Sequence, residues 1–345
     1  MRAQAENELG VTQMSDSVFV TGADGFIGSH LCEHLVAAGY RIKALAQYNS
    51  FNSIGWLKLC PPDIAAEIEV VSGDIRDSSF VEGAVRGCDC VLNLAALIGI
   101  PYSYYAPHSY VETNVNGVLN VLLAARAHGA RVIQTSTSEV YGTAQYVPID
   151  EKHPLNAQSP YAATKIAADQ LALSFHASFD MPVTVVRPFN TYGPRQSVRA
   201  VIPTIITQIA AGKKQIKLGA LTPTRDFSFV SDTALGMMAA INAPAAYGKV
   251  VNLGSNFEIS IADTVDVIID IMDADIEVLC DEDRIRPEAS EVNRLYSDNT
   301  LAAEVLGWRP QFGGRNGFVR GMRETVKWFS DQHNLVGYDA DAYVI

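Results

Sequence analysis

The chain has 345 residues, 48% of them hydrophobic and 19% charged, with a formal net charge of −12. That length exceeds one ordinary core and points to two lobes, or to one large α/β domain with an addition. The acidic balance offers no long-range attraction to nucleic acid or to an anionic membrane surface, so neither is expected as a partner, and an anionic ligand would need a local basic site. The opening residues are polar and carry no secretory pattern. No apolar run reaches the length of a membrane span; the richest, VIPTIITQIAAG (201–212), is short and contains Pro203. Five scattered cysteines (Cys32, Cys60, Cys88, Cys90 and Cys280) match neither a disulfide framework nor a metal site, and suit a reducing cytoplasm.

Residues 1–15 read as a flexible leader. SVFVTG (17–22) then reads as a buried strand ending in glycine, followed by a helix with apolar spacing at Phe26, Ile27, Leu31, Leu35 and Val36 that stops at Gly39. Further strands are expected at 41–46, 68–74, 90–96, 131–137 and 182–188, with helices over roughly 107–128 and 159–179. Nearly continuous apolar strands alternating with helices predict a parallel sheet covered on both faces. Past residue 188 the pattern breaks into short helices and strands rich in Gly, Pro and Thr, which reads as a second, smaller lobe, with about 226–257 returning to the first.

Gly22, Gly25 and Gly28 stand between the first strand and the first helix in a G-x-x-G-x-x-G spacing. Glycines there allow a tight turn and close approach of a pyrophosphate to the helix N-terminus, which predicts a dinucleotide site. NAD and NADP both stay open: the second strand ends Ala46-Gln47-Tyr48-Asn49-Ser50, with neither an acid for the ribose nor an arginine for a 2′-phosphate. Asp74, after the third strand, is placed to meet the adenine edge. His30 and His34 share a helix face, but nothing supplies further ligands, so no metal site is expected.

Tyr161 and Lys165 lie one helical turn apart. A lysine charge beside a phenol favours the phenolate, which can take a proton from a substrate alcohol while hydride leaves for a nicotinamide. Glu139, in TSTSEVYGTA (135–144), raises a separate question. A carboxylate so close to the end of a buried strand is costly unless it is paired or used. The plain alternative is a helix-capping or salt-bridged acid.

Several segments together resemble one family: VTGADGFIGSHL (20–31), GDIRD (73–77), NLAA (93–96), TNVNGVLNVL (113–122), STSEVYG (136–142), YAATK (161–165), RPFNTYGPRQ (187–196), RDFSFVSD (225–232) and LGW (306–308). Over about 16–330 the chain resembles the extended short-chain dehydrogenases/reductases that act on nucleotide sugars. The resemblance implies a Rossmann-type doubly wound parallel sheet with a smaller mixed α/β C-terminal substrate lobe. The dinucleotide-binding domain would span 16–187 plus about 226–257, the substrate lobe 188–225 plus 258–332, and a tail 333–345. It adds Phe26, Ile27, Asn49, Ile75, Leu94, Ala95 and Ala96 to the cofactor contacts. Asn93 stands where relatives often have histidine.

Within that family, S-T-S-E-x-Y-G resembles the 4,6-dehydratase form. The implied roles follow: Thr137 beside Tyr161 at the C4 oxygen, Glu139 removing the C5 proton, and Ser138 assisting loss of the C6 hydroxyl. Such a cofactor ends each cycle as it began and stays tightly bound. Asn190, Arg195, Arg225 and Arg286 are implied at the substrate diphosphate, where guanidinium forks suit phosphate oxygens. The segments 48–57, 97–129 and 135–154 resemble the dehydratases of legionaminic acid biosynthesis, which act on UDP- or GDP-linked N-acetylglucosamine and often carry arginine where Gln47 stands. Tyr102, Tyr104 and Tyr105 are candidates for the sugar pocket or for packing. Relatives pair as homodimers through helices equivalent to 107–128 and 159–179, where Ala168, Leu171, Ala172 and Phe175 form an apolar stripe that an ordinary core would also produce. Rival readings are a UDP-sugar 4-epimerase, which makes no use of Glu139, a dehydratase that also epimerises C5 or reduces the keto group, and a non-catalytic dinucleotide-binding regulator. Retention of threonine, tyrosine and lysine together weighs against the regulator.

Overall fold

The computed structural model describes residues 16–335. The leader expected at 1–15 and the part of the tail beyond 335 lie outside them. Twelve strands are present: β1(Ser17–Thr21), β2(Arg41–Gln47), β3(Ile68–Gly73), β4(Cys90–Asn93), β5(Arg131–Thr135), β6(Val183–Pro188), β7(Asn190–Tyr192), β8(Gln215–Leu218), β9(Thr224–Phe229), β10(Val250–Leu253), β11(Glu258–Ser260) and β12(Glu277–Cys280). The helices are α1(Phe26–Ala37), α2(Pro62–Ala65), α3(Ser78–Val85), α4(Ile100–Tyr105), α5(Pro107–Val111), α6(Gly117–His128), α7(Pro160–Phe179), α8(Val201–Ala210), α9(Val230–Ala239), α10(Ile261–Met272), α11(Thr300–Leu306) and α12(Gly314–Phe329).

Seven strands form one parallel sheet in the order β10-β6-β5-β4-β1-β2-β3. Successive side chains of a strand go to opposite faces, so a strand buried on both sides must be apolar throughout. β1 does this: Val18 and Val20 join Leu31, Leu35, Ala234 and Met237 beneath α1 and α9, while Phe19 joins Val81, Val121, Leu122 and Ala168 on the other face. This is the doubly wound α/β fold expected from the sequence. The chain order reverses between β1 and β4, and ligands of such sheets bind outside the strand C-termini at that switch point. A polar seam crosses it: the Thr21 hydroxyl donates to Asn93 Oδ1 at 2.6 Å, and Asn93 Nδ2 donates to Gln134 Oε1 at 2.8 Å. Asn93 therefore ties three adjacent strands together just below the cleft.

A three-stranded sheet, β11-β9-β7, and a two-stranded one, β12-β8, pack with α8, α10 and α12 around Ile202, Ile206, Ile268, Phe318 and Phe329. β9 belongs to this smaller body, so the chain returns to the large sheet only with α9, which packs on α1, and with β10. Asp226 of β9 is fully buried and accepts hydrogen bonds from the backbone and hydroxyl of both Ser255 and Ser297. It joins β9 to the segments that follow β10 and precede α11.

The helix expected over 107–128 is present but widened. Between α5 and α6, Glu112–Asn116 form a π-helical turn. Within it Asn114 is fully buried, accepting from the Leu97 backbone N–H at 2.8 Å and donating to the Leu97 carbonyl and to Thr164 Oγ1. The turn thus fixes the loop after β4 against α7.

Candidate active site

The C-terminal ends of β1–β6 open into a cleft of about 660 Å³. Its floor on one side is the glycine turn. Gly22 has φ +64°, and a Cβ there would lie 2.9 Å from the Ala95 backbone nitrogen; a Cβ on Gly28 would meet the Gly22 carbonyl oxygen at 2.1 Å. Only glycine fits at either position. Gly25 caps α1 without a side-chain bond, which leaves the first N–H groups of the helix available to an anion. These features fit a dinucleotide pyrophosphate. Gly22, Gly25, Phe26, Ile27, Gly28, Asp74, Ile75, Leu94, Ala95 and Ala96 all line the cleft. Asn49 does not. Its amide donates to the carbonyls of Gln47 and Ser53 and its Oδ1 accepts from the N–H groups of Phe51 and Ser53, so it braces its own loop.

α7 presents the acid–base pair. Ser159 caps the helix by accepting from the Ala162 N–H at 3.1 Å, and Pro160 occupies the first turn, where its missing N–H costs nothing. Tyr161 and Lys165 follow on the face against the strand ends, both buried. Lys165 Nζ donates to the Thr135 carbonyl at 2.6 Å, and burial pushes its pKa down to about 8. Burial drives the Tyr161 phenol well above its ordinary range; a hydrogen bond with Thr137 pulls the other way and the Glu139 carboxylate adds to the rise. Burial thus outweighs the lowering expected from the lysine, and the phenol holds its proton until further positive charge comes near.

A buried network stands behind these residues. The Ser136 hydroxyl donates to Asp169 Oδ2 at 2.7 Å, Arg187 donates to the same oxygen through Nε and Nη2, and Arg187 Nη1 donates to the Tyr141 hydroxyl at 3.0 Å. Asp169 is one turn past Lys165, and its charge supports the ammonium. Thr137 Oγ1 accepts from the Glu139 N–H at 3.2 Å and opens a short 3₁₀ turn, Ser138–Tyr141. That turn holds Ser138 and Glu139 in the cleft, with Glu139 only 8% exposed.

Across the cleft stand the arginines. Arg225 and Arg286 line it together with Asn190, whose Oδ1 is buried without a hydrogen-bond partner. Arg225 is buried and lies within electrostatic reach of Glu139 and Glu291. Glu291 stands between the two guanidiniums, 3.0 Å from Arg225 Nη2 and 3.7 Å from Arg286 Nη1. Glu291, Arg199, Arg284, Gln196 and Asp24 also line the cleft and were not singled out from the sequence. Arg199, Arg284 and Glu291 sit in segments without a local motif, Asp24 and Gln196 inside motifs that do not mark them individually, and only the fold brings the five together.

Arg195 is turned away from the cleft. Its backbone is left-handed (φ +70°), and its buried guanidinium donates to Glu33 Oε1 at 2.7 Å and Ser29 Oγ at 3.2 Å, both of α1. His30 joins this clamp, with Nε2 3.0 Å from the Pro194 carbonyl oxygen and its pKa pushed down to about 4 by burial. The tyrosines of α4 are likewise not cleft residues: Tyr104 bonds to Ser290 Oγ at 2.6 Å and Tyr105 is exposed. Leu97–Pro101 form that wall instead. The stripe Ala168, Ala172 and Phe175 faces the protomer's own core.

Comparison with known proteins agrees with this geometry. The model of the GDP-mannose 4,6 dehydratase family matches residues 19–321. A dTDP-glucose 4,6-dehydratase from Streptomyces antibioticus is 31% identical, over 91% of this chain and 92% of that one. A UDP-glucose 4-epimerase from Mycolicibacterium smegmatis is 32% identical, over 91% and 98%. Among solved structures, a dTDP-glucose 4,6-dehydratase from Streptomyces venezuelae with NAD bound superposes with a TM-score of 0.81 at 27% identity, covering 92% of this chain and 97% of that one. Such breadth of match makes this protein a member of the epimerase/dehydratase branch of the extended short-chain dehydrogenase/reductase family.

Proposed function

We propose that this protein is a nucleotide-sugar 4,6-dehydratase with tightly held NAD or NADP, acting on UDP- or GDP-N-acetylglucosamine to give the 4-keto-6-deoxy sugar. Glu139 carries the reading: a buried acid facing the cleft, within electrostatic reach of both Tyr161 and Arg225. A 4-epimerase has no task for such a group. The smaller body, residues 188–229 and 258–332, serves as the substrate lobe in this reading.

When bound, the nicotinamide supplies the hydride acceptor and donor of the cycle. Tyr161 takes the proton of the C4 hydroxyl as it is oxidised, with Thr137 bonded to the same oxygen and the Lys165 ammonium stabilising the phenolate. The C4 ketone acidifies the C5 proton, which Glu139 removes. Glu139 then returns that proton to the departing C6 hydroxyl, with Ser138 as hydrogen-bond support, and water leaves; C6 would regain the hydride taken from C4 and C5 a proton from water, which gives the 4-keto-6-deoxy sugar. Arg225, Arg286 and Asn190 hold the diphosphate. The named relatives support this class of chemistry, since dehydratases and 4-epimerases of nucleotide sugars are both among them.

The test is mass spectrometry of the purified protein incubated with UDP-N-acetylglucosamine, GDP-N-acetylglucosamine and dTDP-glucose, without added reductant. The expected product is lighter by one water from one of the first two. An unchanged mass with an inverted C4 centre would make the protein an epimerase. Water loss from dTDP-glucose alone would correct the substrate.

The protein also works as a homodimer in this reading. Tyr105, Val111, Leu123 and Phe179 leave apolar surface exposed on α4–α7, which the protomer's own core does not cover. Light scattering should give twice the protomer mass; a single-protomer mass at micromolar concentration would remove the dimer. Among the described residues no helix is long and apolar enough to cross a membrane, and all five cysteines are free thiols, which suits the cytoplasm.

A further inference from the structure

Folds of this kind ordinarily place an acid at the end of the second strand, about twenty residues past the glycine turn, to accept a hydrogen bond from the adenosine ribose. Here β2 ends in Ala46 and Gln47, both uncharged. A carboxylate nevertheless arrives at that place from elsewhere. Asp24 lies inside the glycine turn, and its Oδ2 accepts the backbone N–H of Gln47 at 3.0 Å. The residue is fixed from other sides as well. Its carbonyl accepts the Trp56 N–H at 2.9 Å. Gly55, at φ +56°, packs so tightly that a Cβ there would fall 2.3 Å from the Asp24 carbonyl oxygen and 2.9 Å from its Cβ. Asp24 and Gln47 both line the cleft, and no described residue hydrogen-bonds to the second carboxylate oxygen, Oδ1.

We infer that Asp24 sets the choice of cofactor, admitting NAD and rejecting NADP; this rests on the reading of the cleft as a dinucleotide site. A ribose hydroxyl is a donor that Oδ1 can accept. A 2′-phosphate in the same position sets like charges together in a partly buried site, which is repulsive. Among the described residues, the cation that lines the cleft at that edge is already paired. Arg76 lines the cleft there, but its Nε is 3.0 Å from both oxygens of Asp74, and its Nη2 also bonds to that carboxylate. Gln47 contributes only its amide. The acid missing from β2 is thus supplied by the turn itself, and the same side chain holds the strand end in register with the turn.

The test uses the full chain stripped of nucleotide and titrated separately with NADH and NADPH, following nicotinamide fluorescence. The wild-type protein should bind NADH at least about tenfold more tightly, the scale expected for one close like-charge contact. Asp24→Asn and Asp24→Ser should bring the two ligands within about threefold of each other, mainly by gaining affinity for NADPH. Gain of a ligand cannot come from misfolding, and melting curves show which variant to read. NADPH binding as tightly as NADH in the wild type overturns the inference, and so does a preference left intact in both folded variants. If neither dinucleotide binds, the dinucleotide reading of the cleft fails, and this inference fails with it.

Discussion

Replacing Glu139 by glutamine is expected to stop water loss while cofactor binding survives. The substitution keeps the side chain's size and leaves the backbone N–H that bonds to Thr137 untouched, so the 3₁₀ turn persists. It removes a buried carboxylate that lies within electrostatic reach of both the Tyr161 phenol and the Arg225 guanidinium. An amide cannot accept the C5 proton, and a lost general base typically costs about 10²–10⁴ in rate. Product mass spectrometry against time measures this directly. In the proposed reaction C4 oxidation uses Tyr161, Lys165 and Thr137, none of which the substitution alters, so a single turnover should still reduce bound cofactor and raise its absorbance. Dehydration at a near-normal rate would return Glu139 to the role of a capping or paired acid.

Methionine at Lys165 is expected to give a protein that is inactive and no less stable. Activity falls because the ammonium no longer favours the Tyr161 phenolate. The acid limb of the pH–rate profile should move upward, and turnover at neutral pH should drop by about 10²-fold or more. Stability moves the other way. Lys165 has its pKa lowered to about 8 from an ordinary 10.5 by burial, so its charged form is a burden on the fold at pH 7. From the two pKa values that burden is about 3 kcal/mol, against about 1 kcal/mol for leaving the Thr135 carbonyl without its donor. The sign follows from proton binding. Between pH 8 and 10.5 the unfolded chain keeps a proton that the folded chain releases, so wild-type stability gains with rising pH across that window and the variant's does not. Melting temperatures at pH 7 should therefore be equal or higher in the variant, with the difference closing toward pH 10. A variant several degrees less stable at pH 7 would make Lys165 a structural residue.

The parallel sheet was legible because β1, β4 and β6 are short, largely apolar runs that alternate with helical segments, the pattern expected of strands buried on both faces. The glycine turn was legible because its steric demand is local. What escaped depends on partners far along the chain. The π turn in the 107–128 helix leaves no mark on the apolar period, since its reason is Asn114 meeting Leu97 and Thr164. Arg195 sits in a segment that leads to the smaller lobe, yet Glu33, 162 positions earlier, holds it against α1 and out of the cleft lining. The apolar stripe on α7 could not be assigned to core or interface from spacing, because both demand the same period. Asp24 lay in plain view inside the glycine motif, but its meaning required knowing that the turn meets the end of β2.

The position of Glu291 between Arg225 and Arg286 bears on selectivity among anions. A bare pair of guanidiniums would be a trap for any phosphate in the cell. With a resident carboxylate hydrogen-bonded to Arg225 and 3.7 Å from Arg286, a newcomer gains only the difference between its own contacts and those it displaces. Inorganic phosphate, with nothing else to offer, barely clears that threshold. If the cleft takes a nucleotide sugar as proposed, a larger ligand that also reaches the cleft wall at Leu97–Pro101 gains contacts that phosphate lacks, and the internal counter-ion then acts as a filter that passes ligands by how many subsites they occupy at once.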